Sequence, residues 1–127
     1  SLFNTITGRV FAAYLPEKMV RSMLEDEHRR VVGGTSASFD APEVQALLGE
    51  IRATGMGRGV SMPQPGVNTL CAPVFDAAGH IALVMTMIGP QGVFDAEIDS
   101  AAGELLRKHA RRTSLRLGHS VLTTAIG

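Results

Sequence analysis

The chain has one cysteine, no tryptophan and a single tyrosine in 127 residues, and its charges cancel, with 12 basic and 12 acidic side chains. Each shortage excludes something. One cysteine cannot form an internal disulfide and fits a reducing, cytoplasmic compartment. Four histidines without ligand spacing and that lone thiol give no metal site, and no cofactor is expected. Without a basic surface the chain itself is not expected to hold nucleic acid, and few aromatics leave little to stack on bases or sugars. No run approaches the ~20 apolar residues of a membrane helix, so no membrane contact is expected. No basic segment followed by an apolar stretch marks a signal peptide.

What is present is a domain-sized chain, 45% apolar, with enough greasy surface for a core. Its centre is Gly66 to Pro90, two apolar runs around Asp76-Ala77-Ala78-Gly79, which reads as a β-hairpin. Closing that hairpin on a four-residue turn sets Val67 opposite Ile88, Thr69 opposite Thr86, Cys71 opposite Val84 and Pro73 opposite Ala82. Those eight share one face, small and with two hydroxyls and a thiol. The other face carries Leu70, Met85, Ala72, Leu83, Val74 and Ile81, a bulky core surface.

Around the hairpin, helices are expected at 5–15, capped by Thr5 or Thr7, and from Glu17 to about His28 with a stripe of Met19, Val20, Met23 and Leu24. A third begins at a capping Asp40, buries Val44, Leu47, Leu48 and Ile51, and ends at Gly55. Gly33-Gly34 reads as a turn, and residues 56–66 as a short strand and loop. The longest helix opens at Asp95 and runs to about Leu117, burying Ile98, Ala102, Leu105, Leu106, Ala110, Thr113 and Leu117. The order predicts an α+β fold, an antiparallel sheet with helices stacked on one face. Residues 1–118 form the domain and 119–127 a frayed tail.

Catalytic chemistry finds little support. Cys71 lies in a strand with no histidine expected beside it, and free cysteine is usually a small buried hydrophobe. His109 falls at the edge of the last helix's stripe and His80 at the hairpin tip. Acids at helix starts and bases at helix ends are ordinary dipole complements. The threonine pair remains. Thr69 and Thr86 could bond each other across the strands, or be the few polar groups of a mostly apolar ligand pocket. Thr5 and Thr7, at a helix N-terminus, would add hydroxyls and N–H groups suited to a carboxylate.

Five pieces in order carry a resemblance: T-x-T-G-R-x-x-x-A-x-L-P at 5–16, L-x-x-I-R-x-x-G at 48–55, G-V-x-x-x-x-A-P-V-F-D at 66–76, I-G-P at 88–90 and L-x-L-G at 115–118. Together they resemble the effector-binding domain of IclR-type bacterial transcriptional regulators. The resemblance implies a GAF-like fold that binds a small organic-acid effector, forms homodimers or homotetramers, and acts on DNA only through a winged helix-turn-helix domain outside this sequence. It also implies that the first strands of the family domain precede Ser1. By position, the family's pocket falls on Ile6, Thr7, Gly59, Thr69, Thr86 and Ile88, with Cys71 on the same face as the last three. Where relatives that bind small oxo-acids carry acidic, thiol or serine side chains, this chain has Gly59, Thr69, Thr86 and Ile88. Its pocket has fewer polar groups and more methyls, which implies a less polar effector. Two rivals stand beside this reading: a Cys71-dependent enzyme, and a GAF-like dimerisation module with no pocket.

Overall fold

The computed structural model describes residues 2–30 and 38–120. The expected turn at Gly33-Gly34 and most of the expected tail lie outside them. In chain order the elements are α1 (Ile6–Tyr14), α2 (Glu17–Arg30), α3 (Pro42–Thr54), β1 (Gly57–Gly59), β2 (Val67–Phe75), β3 (Ile81–Pro90) and α4 (Ala101–Arg116).

Local chemistry explains most boundaries. Thr5 caps α1, its hydroxyl accepting from the Gly8 N–H at 3.0 Å. The Pro16 carbonyl accepts from Met19 and Val20 N–H groups and so opens α2. Gly55 ends α3 in the left-handed region, φ 77°, where a side chain would be strained. Two expected helix starts differ. Asp40 does not cap α3; Ala41 holds that position, and the Asp40 carboxylate instead takes two bonds from Arg21, at 2.7 and 3.0 Å. A paired charge on a neighbouring helix outcompetes a cap at a position that Pro42 already shapes. Asp95 does not open α4 either. Its Oδ1 accepts from Glu97 N–H in a local turn, and α4 begins after Ser100, whose Oγ accepts from Gly103 N–H.

The sheet is antiparallel with strand order β1-β2-β3. Its register differs from the expected one by two residues. Thr69 faces Ile88, not Thr86; Cys71 faces Thr86; Pro73 faces Val84. The loop holds five residues, Asp76 to His80, because the Asp76 carboxylate gathers the N–H groups of both Ala78 and His80. A second extra residue, Ala82, bulges between Ile81, opposite Phe75, and Leu83, opposite Val74. One residue in the loop and one in the bulge make an even shift, so from Leu83 to Pro90 each side chain keeps its expected face. Ile81, before the bulge, does not: it stands opposite Phe75 and packs towards α1 and α3, not beside Val74.

Helices cover both faces of this sheet, which corrects the one-sided stack. Cys71 belongs to the core with α1 and α3, where Ile6, Val10, Val20, Leu48 and Ile51 are buried. Leu70, Ala72 and Val74 point the other way, into a second core with Leu106 and Ala110 of α4. Burying each such aliphatic side chain stabilises the fold by about 1.5–3 kcal/mol before the entropy of ordering it. The buried stripe of α4 is Gly103, Leu106, Ala110 and Ser114. Leu105 and Leu117 are exposed, contrary to expectation, as is His109. Small residues on the contact line let α4 lie close over the strands, and this turns the leucines outward. On α2 only Val20 and Leu24 are buried, while Met19 and Met23 stand in solvent.

Candidate ligand-binding site

Three of the expected site residues meet. Thr7 lies in the first turn of α1, Cys71 in the middle of β2 and Thr86 opposite it on β3. Thr7 Oγ1 and Thr86 Oγ1 share a hydrogen bond at 3.1 Å, Cys71 Sγ and Thr86 Oγ1 one at 3.3 Å, and Thr7 Oγ1 and Cys71 Sγ one at 3.6 Å. The strand alternation puts Cys71 and Thr86 on the α1 face, and the Thr5 cap sets the helix phase that turns Thr7 towards them. Thr86 is exposed, so the cluster is open on one side.

The other four residues are placed differently. Thr69 is buried, and its hydroxyl donates to the Met62 carbonyl at 3.0 Å, tying the loop after β1 to β2. Ile88 shares its face and is 66% exposed. Ile6 is buried against β1, where a Cβ on Gly59 would lie 2.8 Å from its Cδ1 and one on Gly57 2.9 Å from its Cγ2. Ile6 and the two glycines therefore fill one end of the face, leaving the Thr86–Ile88 end open.

Charge and polarity around the cluster have clear causes. Burial pushes the Cys71 thiol pKa up, and the hydrogen bonds from Thr86 and Thr7 oppose that with smaller effect. The thiol is thus protonated at neutral pH and is a poor nucleophile. Arg9, one turn beyond Thr5, is half-buried. Its Nε donates to the Phe3 carbonyl at 2.8 Å, and desolvation lowers its pKa. Two residues that site reasoning missed hold the loop. Met62 receives Thr69, and Asn68 accepts from Ser61 N–H while donating to the Phe94 carbonyl. Only the Gly/Pro density of 56–66 signals that this loop is shaped. Among the described residues no three His, Cys, Asp or Glu side chains gather as a metal site, and no helix is long and apolar enough to cross a membrane.

The chain is similar to known regulators. Over 79 residues it is 30% identical to the HTH-type transcriptional repressor AllR of Klebsiella pneumoniae, covering 62% of this chain and 29% of that protein. Its structure resembles that of Pseudomonas aeruginosa HmgR, at 38% identity and a TM-score of 0.81, over 94% of this chain and 46% of the other. It also resembles the C-terminal domain of the E. coli transcriptional regulator KdgR, at 26% identity and a TM-score of 0.72, over 93% and 71% of the two chains. The chain thus spans less than half the length of AllR and HmgR. AllR and KdgR are described as regulators of transcription and not as enzymes, and with Cys71 buried and protonated the enzymatic rival falls away. Residues 1–115 match the family described as bacterial transcriptional regulator IclR, C-terminal, and the chain belongs to that family.

Proposed function

We propose that this chain is the small-molecule-sensing part of a cytoplasmic transcriptional regulator, and that it takes an organic-acid effector at the Thr7–Cys71–Thr86 cluster. The observation that carries this reading is the convergence of two hydroxyls and a thiol at the first turn of α1, beside the exposed Ile88. A helix N-terminus favours a carboxylate, and hydroxyl groups can exchange their mutual bonds for bonds to its oxygens. Ile6 against Gly57 and Gly59 removes space and polarity from one end, so the ligand's body extends over Ile88 and is less polar than a two- or three-carbon oxo-acid. A larger or aromatic carboxylate fits that surface. The effector acts on operator affinity through a winged helix-turn-helix domain outside this sequence, in a dimer or tetramer.

A second reading has its own support. The direct Thr7–Thr86 bond and the filled Ile6 end also suit a module that only dimerises. Calorimetry with benzoate-class acids, glyoxylate and pyruvate separates the two. The expected result is binding of an aromatic acid that Thr86→Val weakens about tenfold, the cost of one hydrogen bond to a charged group. Tight binding of glyoxylate or pyruvate would sink the specificity argument, and no binding by any acid would favour the dimerisation module.

A further inference from the structure

A second cleft opens at the edge of the sheet, where residues of both faces meet, and its chemistry points to a ligand. Beyond Cys71, β2 runs on without β1 beside it, because β1 ends at the Gly57–Cys71 pair. A cleft of about 440 Å3 lies there, between β2, the C-terminal end of α3 and α4. Its size is that of a site for a small organic molecule. One wall is aromatic. Tyr14 and Phe75 meet edge to face at 5.2 Å, and Phe75 and His119 stack at a tilt at 5.3 Å. Met56, Ala72 and Pro73 supply apolar surface, and Ser114 Oγ lies at the base, accepting the Phe75 N–H. The rim carries Arg107 and Arg111, one turn apart on α4. Among the described lining residues there is no Asp or Glu. Arg107 meets Glu104 at 3.6 Å in a solvent-screened pair, and its Nη2 reaches the Thr54 carbonyl at 3.4 Å. Aromatic walls, apolar floor and two guanidiniums on one side are complementary to a flat ring bearing a carboxylate.

We propose that this cleft binds a small aromatic anion, with the ring against Tyr14 and Phe75 and the carboxylate on Arg107 and Arg111. The site stands apart from the polar cluster on the α1 face and rests on none of its residues. Titration of the whole chain with 4-fluorophenylacetate, followed by fluorine NMR and amide chemical shifts, tests it. Binding is expected, with shifts centred on Thr54–Met56, Ala72–Phe75 and Ala110–Ser114. The double variant Arg107→Gln, Arg111→Gln alters exposed helix surface and should weaken binding by roughly tenfold or more, as loss of charge-assisted hydrogen bonds does. The affinity of the cleft is read from the Ala72–Phe75 and Ala110–Ser114 shifts alone, apart from any at the polar cluster. No binding to the unsubstituted chain, an unaltered affinity in the double variant, or shifts confined to Thr7, Cys71 and Thr86 would each overturn the proposal.

Discussion

Cys71 has no exposed surface, and desolvation outweighs the pull of the Thr86 and Thr7 hydroxyls, so its thiol titrates above its ordinary value. The consequence for stability has a definite sign. Unfolded, the thiol ionises near its usual pKa of about 8.5. Folded, it holds its proton to higher pH, so its contribution is complete below about pH 8.5 and is lost as pH rises towards the folded value. The expected outcome is a urea midpoint that falls more steeply from pH 7 to pH 10 in the parent chain than in Cys71→Ala. Because the two chains differ at that side chain alone, the difference reports the thiol. Ile6 shows how far side-chain identity can be read ahead of structure. That it falls at the family's pocket position was visible. That it fits only because Gly57 and Gly59 lack a Cβ was not, since the three meet through folding across the gap between α1 and β1.

At the scale of elements, Ser114 joins α4 to the end of β2. It is buried, accepts the Phe75 N–H at 3.0 Å and donates to the Ala110 carbonyl at 2.9 Å. That backbone donor has no strand on its β1 side, since β1 begins at Gly57, opposite Cys71, and reaches no further along β2. Ser114→Ala strands it and should cost about 1–3 kcal/mol, read as a lowered urea midpoint. Ser114 was missed because a serine inside a basic helix gives no apolar signal; only the demand of Phe75 explains it. The hairpin shows the complementary case. Alternation alone read out the two faces of Gly66–Pro90 apart from Ile81, and with them the company of Thr69, Cys71, Thr86 and Ile88. It could not read the register, because the Asp76 loop and the Ala82 bulge are set by local hydrogen bonding that has no hydrophobic period. The site suffered accordingly: Cys71, not Thr69, is the partner of Thr86.

Taken whole, the molecule is a three-layer stack with a thin sheet at its centre. β3 has one strand neighbour among the described residues and contains no charged residue from Ile81 to Pro90. Edge strands are usually guarded by charge, proline or cover, because their free N–H and C=O groups template further pairing. Leu83 and Ile88 on this one are 40% and 66% exposed. The isolated chain should therefore associate as concentration rises, measurable by sedimentation velocity. Ala82→Lys, at the exposed bulge, should suppress that association while leaving the thermal midpoint nearly unchanged.

Helix α1 connects the two ends of the stack. Its first turn carries Thr7 into the polar cluster, and its last residue, Tyr14, is part of the aromatic wall of the cleft under α4. Nine residues of helix form one rigid rod about 13 Å long, so a displacement felt at one end is felt at the other. If each end holds a ligand, the two are linked equilibria. Whatever factor the first imposes on the second, the second must return to the first, and the operator-facing signal becomes the joint occupancy of both ends.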